Sequence, residues 1–238
     1  HEKQREIHKA INNTDSFYYI LNIGRQFGKT ALMENQCLYW AVNESDIIIG
    51  WVSPIHKQAL KSFDSIKRAI RDIPIYKSSN ASKLEIELNN GTRIMFMSAE
   101  SDDNLRGATF TYMLIDEFAF IKKNTWQYVL RAFLLVKGKK CVLSSTPKGK
   151  NNFFDMYNLA KTNPRYTAFK GTSFDNPYAN VEELNDIKNT LPEAVWQQEY
   201  LAEFVDSASV FKNVDSCIND MPSSTSSYYI GIDIGFQS

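Results

Sequence analysis

Short apolar runs that alternate with helical segments constrain the fold of this chain more than any other feature of its sequence. Each run is too short for a buried helix and has the length of a buried strand. The runs occupy residues 17–22, 46–52, 111–116 and 140–145. Segments with helical spacing of apolar residues lie at 1–13, 30–42, 125–136 and 151–161. Strand, crossover helix and strand, repeated, predict an α/β fold whose mainly parallel sheet has helices on both faces.

The other sequence patterns predict a hairpin and a different C-terminal region. Residues 83–88 and 92–97 alternate apolar and polar side chains on either side of Asn89-Asn90-Gly91, which is typical of a β-hairpin. After about residue 170 the pattern changes to short helices and loops, and a Ser-rich segment precedes one last apolar strand. We therefore expect three parts, a core, a small linker subdomain and the first strand of another domain, at residues 1–170, 171–227 and 228–238.

Composition excludes several classes of protein. The chain has 238 residues, of which 43% are hydrophobic, so it can bury one large core or two small ones. No apolar run reaches the ~18 residues of a membrane span, and we expect no membrane association. The cysteines are far apart and odd in number, which favours reduced thiols in a cytosolic protein over a disulfide framework. They are Cys37, Cys141 and Cys217.

Charge is balanced overall but uneven along the chain. The 27 basic and 27 acidic residues cancel, so net charge gives no argument for nucleic-acid binding. Residues 122–150 hold eight Lys or Arg and no acid, whereas residues 176–206 hold seven acids and one Lys. Either bias is compatible with a solvated face. The basic stretch is still the candidate for contact with a phosphate backbone, through Lys122, Lys123, Lys137, Lys139 and Lys140.

A glycine-containing loop between the first strand and the next helix has the residues of a phosphate-binding loop. Its sequence is IGRQFGKT, at residues 23–30. Backbone N–H groups that wrap a polyphosphate need room, and Gly28 permits that close approach. Lys29 would supply a point charge to the β- and γ-phosphates, and the Thr30 hydroxyl can ligate Mg²⁺.

The loop also departs from the common pattern G-x-x-x-x-G-K-[ST]. That pattern requires Gly at position 23, where this chain has Ile23, followed by Gly24 and Arg25. We interpret the segment as a variant loop that carries one extra cation.

Two acids and a hydroxyl cluster end the neighbouring buried strands. Asp116 and Glu117 close the strand TYMLID, at the edge of the sheet where ligands of open α/β sheets bind. Asp116 would hold Mg²⁺ and Glu117 would polarise the attacking water. Ser144, Ser145 and Thr146 end the strand at 140–145, where hydroxyls could sense a γ-phosphate, although an ordinary turn would also explain them.

These motifs together resemble the large terminase subunit of tailed bacteriophages, the ATPase motor that packages DNA into procapsids. The resemblance runs over nearly the whole chain in the order GRQFGKT, LIDEF, SSTPKG, LPEAVWQQEYLAEF and YYIGIDIG. It implies a P-loop NTPase-like core with ATP and Mg²⁺ as cofactors. The family follows its ATPase with an RNase H-like nuclease, of which this chain would contain only the opening strand.

The resemblance also implies roles for individual residues. Gln4 would read adenine, and Arg25 would lie near the γ-phosphate and act in catalysis. Arg106, in NLRG, would reach the ATP of a neighbouring subunit in a ring. Ser144–Thr146 would couple hydrolysis to movement. The implied ATP-binding set is Gln4, Gly24, Arg25, Gln26, Phe27, Gly28, Lys29 and Thr30.

Partners and location follow from the same resemblance. The motor would drive double-stranded DNA into procapsids with the portal protein and the small terminase subunit, as a homo-oligomeric ring in the cytoplasm of the infected bacterium. Two other interpretations stay open. One is a non-catalytic docking module for portal or small terminase, and the other is a helicase-like P-loop translocase.

We expect this chain not to cut DNA. Asp233, in GIDIG, resembles the first metal-binding acid of the nuclease, and its partner acids would lie beyond Ser238. A two-metal nuclease needs several carboxylates to hold its ions ~3.5–4 Å apart. Incubation of supercoiled plasmid with the purified chain and Mg²⁺ or Mn²⁺ should leave it intact, and metal-dependent nicking would refute this expectation.

Overall fold

The strands form one eight-stranded sheet that is mostly parallel. The structure is a computed structural model, and it describes residues 1–100 and 109–205. The strands are β1 (Tyr18–Ile23), β2 (Ile48–Ser53), β3 (Tyr76–Asn80), β4 (Glu85–Leu88), β5 (Arg93–Ser98), β6 (Tyr112–Asp116), β7 (Lys140–Ser145) and β8 (Tyr166–Gly171). Their order is β3-β4-β5-β2-β6-β7-β1-β8. Only the β3–β4 and β4–β5 pairs are antiparallel, so the predicted α/β fold and the predicted β4–β5 hairpin are confirmed.

Helices cover both faces of the sheet, as the alternation of elements predicts. They are α1 (Glu2–Asn13), α2 (Lys29–Asn43), α3 (His56–Ile70), α4 (Asn152–Leu159), α5 (Val181–Thr190) and α6 (Glu193–Glu199). Successive residues of β1 enter different cores, because side chains alternate across a strand. Tyr19 and Leu21 pack beneath α1, α2 and α3, whereas Tyr18 and Ile20 pack with Trp126 and Phe153 on the other face. None of the helices in the described part of the chain is long and apolar enough to cross a bilayer.

The segment predicted as one helix at 125–136 has a different hydrogen-bond pattern. It forms a π-helical turn at Thr125–Val129 and a 3₁₀ turn at Leu130–Leu134. The apolar spacing correctly indicates buried side chains, since Trp126, Leu130 and Phe133 are all buried. The hydrogen bonds follow from tertiary packing, in which Trp126 meets the edge of Phe118 and Phe133 meets the edge of Phe110.

Two strands have no clear signal in the sequence. β3 is an edge strand of sequence YKSSN with no fully buried side chain, so it lacks the apolar alternation that marks a strand. β8 lies at the opposite edge and buries only its terminal residues, Tyr166 and Gly171. β3 and β8 therefore form because each pairs with a neighbouring strand, and they extend the predicted sheet by one strand at each edge.

Gly50, in the middle of β2, is a site where the packing of the core can be tested. A Cβ atom added there would lie 2.8 Å from the buried ring of Phe110. We expect Gly50→Ala to lower the free energy of unfolding by about 1–3 kcal/mol because the core is overpacked. Urea unfolding of Gly50→Ala, Phe110→Leu and the double variant measures this, and the double variant should lose at least about 0.5 kcal/mol less than the sum. Strict additivity would contradict the contact.

Candidate functional site

The sequence motifs converge at the carboxyl edge of the parallel strands. Adjacent registers pair Asp116 with Ser144 and Asn22 with Ser145, so the ends of β6, β7 and β1 lie side by side. A cavity of about 1180 Å³ opens at this edge. It is lined by the loop after β1, by Glu117 and Thr146, and on the other side by the start of α3.

The loop at 24–30 has the conformation that an anion-binding turn requires. Gln26 and Gly28 have left-handed backbones, with φ of 58° and 95°, and Gly28 is the residue that precedes α2. A φ of 95° strains any residue with a Cβ atom, and an added Cβ on Gly28 would also displace the Gln4 amide, which would lie 2.6 Å away. The first N–H groups of α2 have no partner within the helix. Together with the helix dipole they make this turn a site for phosphate.

Lys29 and Glu117 form the central ion pair of the site. Lys29 Nζ lies 2.5 Å from Glu117 Oε1, and both side chains are mostly buried. Thr30 Oγ1 donates to Asp116 Oδ2 at 3.5 Å. Burial raises the pKa of Asp116 to about 6, although the Lys29 ammonium opposes this rise. Lysine, threonine and two acids that are 87 residues apart in sequence therefore meet as the motifs predict.

Of the three hydroxyls at the end of β7, Ser145 contacts this pair. Ser145 Oγ donates to Glu117 Oε2 at 3.2 Å and accepts from the Ala119 N–H at 3.3 Å, so it orients the glutamate. Thr146 lines the cavity. Ser144 is fully buried, and its hydroxyl has no hydrogen-bond partner. Glu117 itself has a left-handed backbone with φ of 51°, a conformation in which non-glycine residues are uncommon.

Arg25 is held by Glu199, which lies 174 residues further along the chain. Its Nε donates to Glu199 Oε2 at 2.7 Å, and its backbone N–H donates to the Glu199 carbonyl at 2.7 Å. The Ser173 hydroxyl donates to the Arg25 carbonyl at 2.6 Å, and Asn176 Nδ2 donates to the Gln26 carbonyl at 2.7 Å. Ser173, Asn176 and Glu199 thus hold the loop in place through hydrogen bonds, and we call this group of contacts the brace. The motif QEYLAEF contains Glu199, but no spacing in the sequence indicates its partner.

Gln4 reaches the loop from α1. Its Nε2 donates to the Gly28 carbonyl at 2.8 Å. It does not line the large cavity but a second one of about 580 Å³ between α1 and α2. Its amide therefore supports the backbone of the loop, and a role in reading adenine stays a prediction. Arg106 and Asp233 lie outside the described residues, as does the predicted strand at 228–238.

The five lysines of the basic stretch do not share one surface. Lys122 lines the cavity at the carboxyl edge, whereas Lys139 and Lys140 lie at the other end of the sheet, where β7 begins. Lys139 pairs with Glu44 at 2.6 Å, and Lys140 donates to the carbonyls of Ile11 and Thr14. These lysines therefore do not form one continuous surface, because β7 separates Lys139 and Lys140 from the edge where Lys122 lies. Contact of this stretch with a phosphate backbone stays a prediction.

The fold and the site together define a P-loop NTPase-like domain. The family profile described as "Terminase large subunit, T4likevirus-type, N-terminal" matches residues 20–217. The chain therefore belongs to the terminase large subunit family, and the matched region is that family's N-terminal part.

Known proteins agree with this assignment. The large terminase subunit of Escherichia phage T5 is 28% identical over 166 residues, which cover 68% of this chain and 38% of the relative. The chain thus spans less than half the length of this relative. The large terminase ATPase domain of Thermus phage P74-26 superposes with a TM-score of 0.73 at 22% identity, over 84% of this chain and 93% of that domain. The large terminase of bacteriophage D6E in complex with ATP-γ-S superposes at 0.68 and 17%, over 86% and 52%.

Ser173 tests how the brace supports the loop. Its fully buried hydroxyl contacts the Arg25 and Tyr200 carbonyls at 2.6 and 3.2 Å. We expect Ser173→Ala to reduce the free energy of unfolding by about 1–3 kcal/mol, since the Arg25 carbonyl loses the hydroxyl that donates to it. Chemical unfolding measures this, with the exposed Ser82→Ala as the matched control, for which the change should stay within about 0.5 kcal/mol. Equal effects in both variants would rule out this brace.

Proposed function

We propose that this chain is the ATP-hydrolysing motor part of a terminase large subunit, which drives double-stranded DNA into procapsids. The observation that carries the proposal is the convergence of Lys29, Thr30 and Glu117 on one cavity at the end of the loop, with the buried Asp116 hydrogen-bonded to Thr30 behind them. Membership of the family supports it, as do the relatives solved as ATPase domains or with ATP-γ-S.

The loop residues would bind the triphosphate. The first N–H groups of α2 and the left-handed turn at Gly28 would surround the phosphates, and Lys29 would reach the β- and γ-oxygens. Lys29 contacts Glu117 in this structure. Phosphate oxygens would therefore compete with Glu117 for the ammonium, and ATP binding would release the carboxylate to act as a base. Arg25 would add a second cation near the γ-phosphate.

The donor set fits Mg²⁺. Thr30 Oγ1 and Asp116 Oδ2 lie 3.5 Å apart, and Mg²⁺ in phosphate sites takes one or two protein oxygens together with oxygens of the substrate. When bound, Mg²⁺ neutralises charge on the β- and γ-oxygens.

Hydrolysis would use Glu117 as the base. Glu117 would accept a proton from a water molecule as that water attacks the γ-phosphorus in line, and the bond from phosphorus to the β-phosphate oxygen would break to give ADP and phosphate. Ser145 would hold the glutamate in place through the 3.2 Å hydrogen bond. Lys29 would stabilise charge on the leaving oxygen.

Loss of the γ-phosphate would then move the segment that braces the loop. Arg25 and the hydroxyls at Ser144–Thr146 would lose a partner, and residues 171–227, proposed as a linker subdomain, would shift against the sheet and pull DNA. The hydrogen bond between Ser173 and the Arg25 carbonyl supports this connection. The chain would act in a homo-oligomeric ring, with Arg106 completing a neighbour's site, and with portal and small terminase as partners in the host cytoplasm.

Two substitutions separate binding from chemistry. Lys29→Ala should abolish saturable binding of fluorescent ATP and hence turnover. Glu117→Gln should keep binding within about threefold and lower turnover at least ~100-fold, since a positioned general base contributes 10²–10⁴-fold. Phosphate release with and without duplex DNA measures turnover, and titration of the fluorescent nucleotide measures binding. Lys188→Ala, on the exposed face of α5, is the charge-matched control and should behave like the parent.

The same measurements distinguish the proposed motor from a non-catalytic docking module. A docking module would show neither saturable ATP binding nor turnover in the parent chain. Undiminished hydrolysis in Glu117→Gln would remove the glutamate from its proposed role.

A further inference from the structure

Helix α3 presents a stripe of charged residues that the proposed function does not use. Its buried side consists of Ala59, Phe63, Ile66 and Ile70, at helical spacing. The opposite side carries the exposed residues Lys57, Lys61, Asp64, Arg68 and Arg71. These five follow one another by four, three, four and three residues, so they lie in a single line along the helix.

Positive charge dominates this stripe. Lys57, Lys61 and Arg68 form no ion pair with any acid in the described residues. Arg71 pairs with Asp72 at 3.3 Å, and both side chains are well exposed. Asp64 is the one acid within the line, and Lys61 and Arg68 flank it.

The neighbouring Lys67 adds to the charge of this face. Its Nζ lies 5.6 Å from the ring centroid of the buried Phe63, so Lys67 lies at the border between the buried and the exposed sides of the helix, beside the stripe. Four acids lie within or beside the stripe: Asp64, Asp72, Glu34, which accepts from the Ser65 hydroxyl at 2.9 Å, and Glu100 at the helix start. The five cations exceed these acids by one, and they hold four of the five positions in the line itself.

The dimensions of the stripe suit a nucleic-acid backbone. From Lys57 to Arg71 the helix rises about 21 Å, at 1.5 Å per residue. Over that length one strand of B-form DNA presents about six phosphates, at one per 3.4 Å. A row of cations about one helical turn apart can therefore meet several phosphates of one strand. A line of charge fits this partner better than a protein interface, whose centre is depleted in charge.

The stripe begins at the nucleotide cavity. Gln58 and Lys61, in the first turns of α3, line that cavity, as do Pro54 and Ile55, which precede the helix. The His56 N–H, at the start of the helix, donates to Glu100 Oε2 at 2.8 Å, so the first turn of α3 is held in place. One rigid helix therefore connects the wall of the proposed ATP site with the basic stripe.

We infer that the exposed face of α3 binds the phosphate backbone of double-stranded DNA, through Lys57, Lys61, Arg68 and Arg71. This inference rests on the proposed function, which supplies DNA as the substrate. It assigns DNA contact to α3 rather than to the lysines at 122–140. A change at the nucleotide cavity would reach the DNA along this helix.

A pair of double variants tests the inference with equal changes of charge. Lys57→Gln/Arg68→Gln removes two cations from the stripe and none from the lining of the cavity. Lys123→Gln/Lys137→Gln removes two exposed cations from the basic stretch. The parent chain and both variants are titrated against a fluorescent 30-base-pair duplex at several KCl concentrations, and the anisotropy gives Kd.

The α3 variant should bind at least tenfold more weakly at about 100 mM salt. Its plot of log Kd against log salt should be shallower by about 2, because each lost phosphate contact lowers the slope by about 0.9. The Lys123→Gln/Lys137→Gln variant should stay within about twofold of the parent. Equal losses in both variants, an unchanged Kd in the α3 variant, or no duplex binding by the parent would each overturn the inference.

Hydrolysis of ATP, measured on the same three proteins, separates this inference from the proposed function. Turnover without DNA should be equal in all three, since neither pair lines the cavity. If the parent hydrolyses ATP and the α3 variant binds duplex normally, the surface assignment fails alone. If the parent hydrolyses no ATP, the proposed function fails, whatever the DNA titration shows.

Discussion

The parallel register of β1, β7 and β6 is the constraint on which the candidate site depends. It sets Asn22 beside Ser145 and Ser144 beside Asp116, so three distant segments end at one edge. Lys29 can contact Glu117 only because the strands before them end level with each other. A shift of one residue in this register would turn every side chain of a strand to the other face and separate the loop from its acids.

The loop is supported from two directions, and this decides how the site connects to the rest of the chain. From α1, Gln4 holds the Gly28 carbonyl. From the C-terminal side, Glu199 holds Arg25, and the Asn22 side chain donates to the Ala202 carbonyl at 2.8 Å. An added Cβ on Gly24 would meet the Tyr200 carbonyl oxygen at 2.5 Å, so the two segments lie in direct contact. The loop and residues 199–202 therefore pack directly against each other, which is the contact through which the proposed motor would transmit a change at the phosphates.

Surface charge shows most clearly how sequence and structure differ. The number of charges along the sequence favours residues 122–150 as the basic surface. The connection between β6 and β7 instead places these lysines at both ends of the sheet. The residues of the α3 stripe are interrupted in sequence by apolar neighbours such as Phe63 and Ile66. Helical periodicity places these charged residues on one side of α3, so residues that are scattered in the sequence form one row on the surface. Charge density along a sequence is a poor guide to charge density on a surface when the chain reverses direction.

Local patterns in the sequence were sufficient for the order of strands and helices, the hairpin, the loop at Gly28 and the acids that follow β6, because each depends on a few adjacent side chains and their burial. Pairing at a distance was decided only by the tertiary structure. It provides the polar edge strand β3, the π turn at Thr125–Val129 and the partnership of Arg25 with Glu199. These features depend on contacts between segments that are far apart in the sequence, and the spacing of residues within one segment does not determine such contacts.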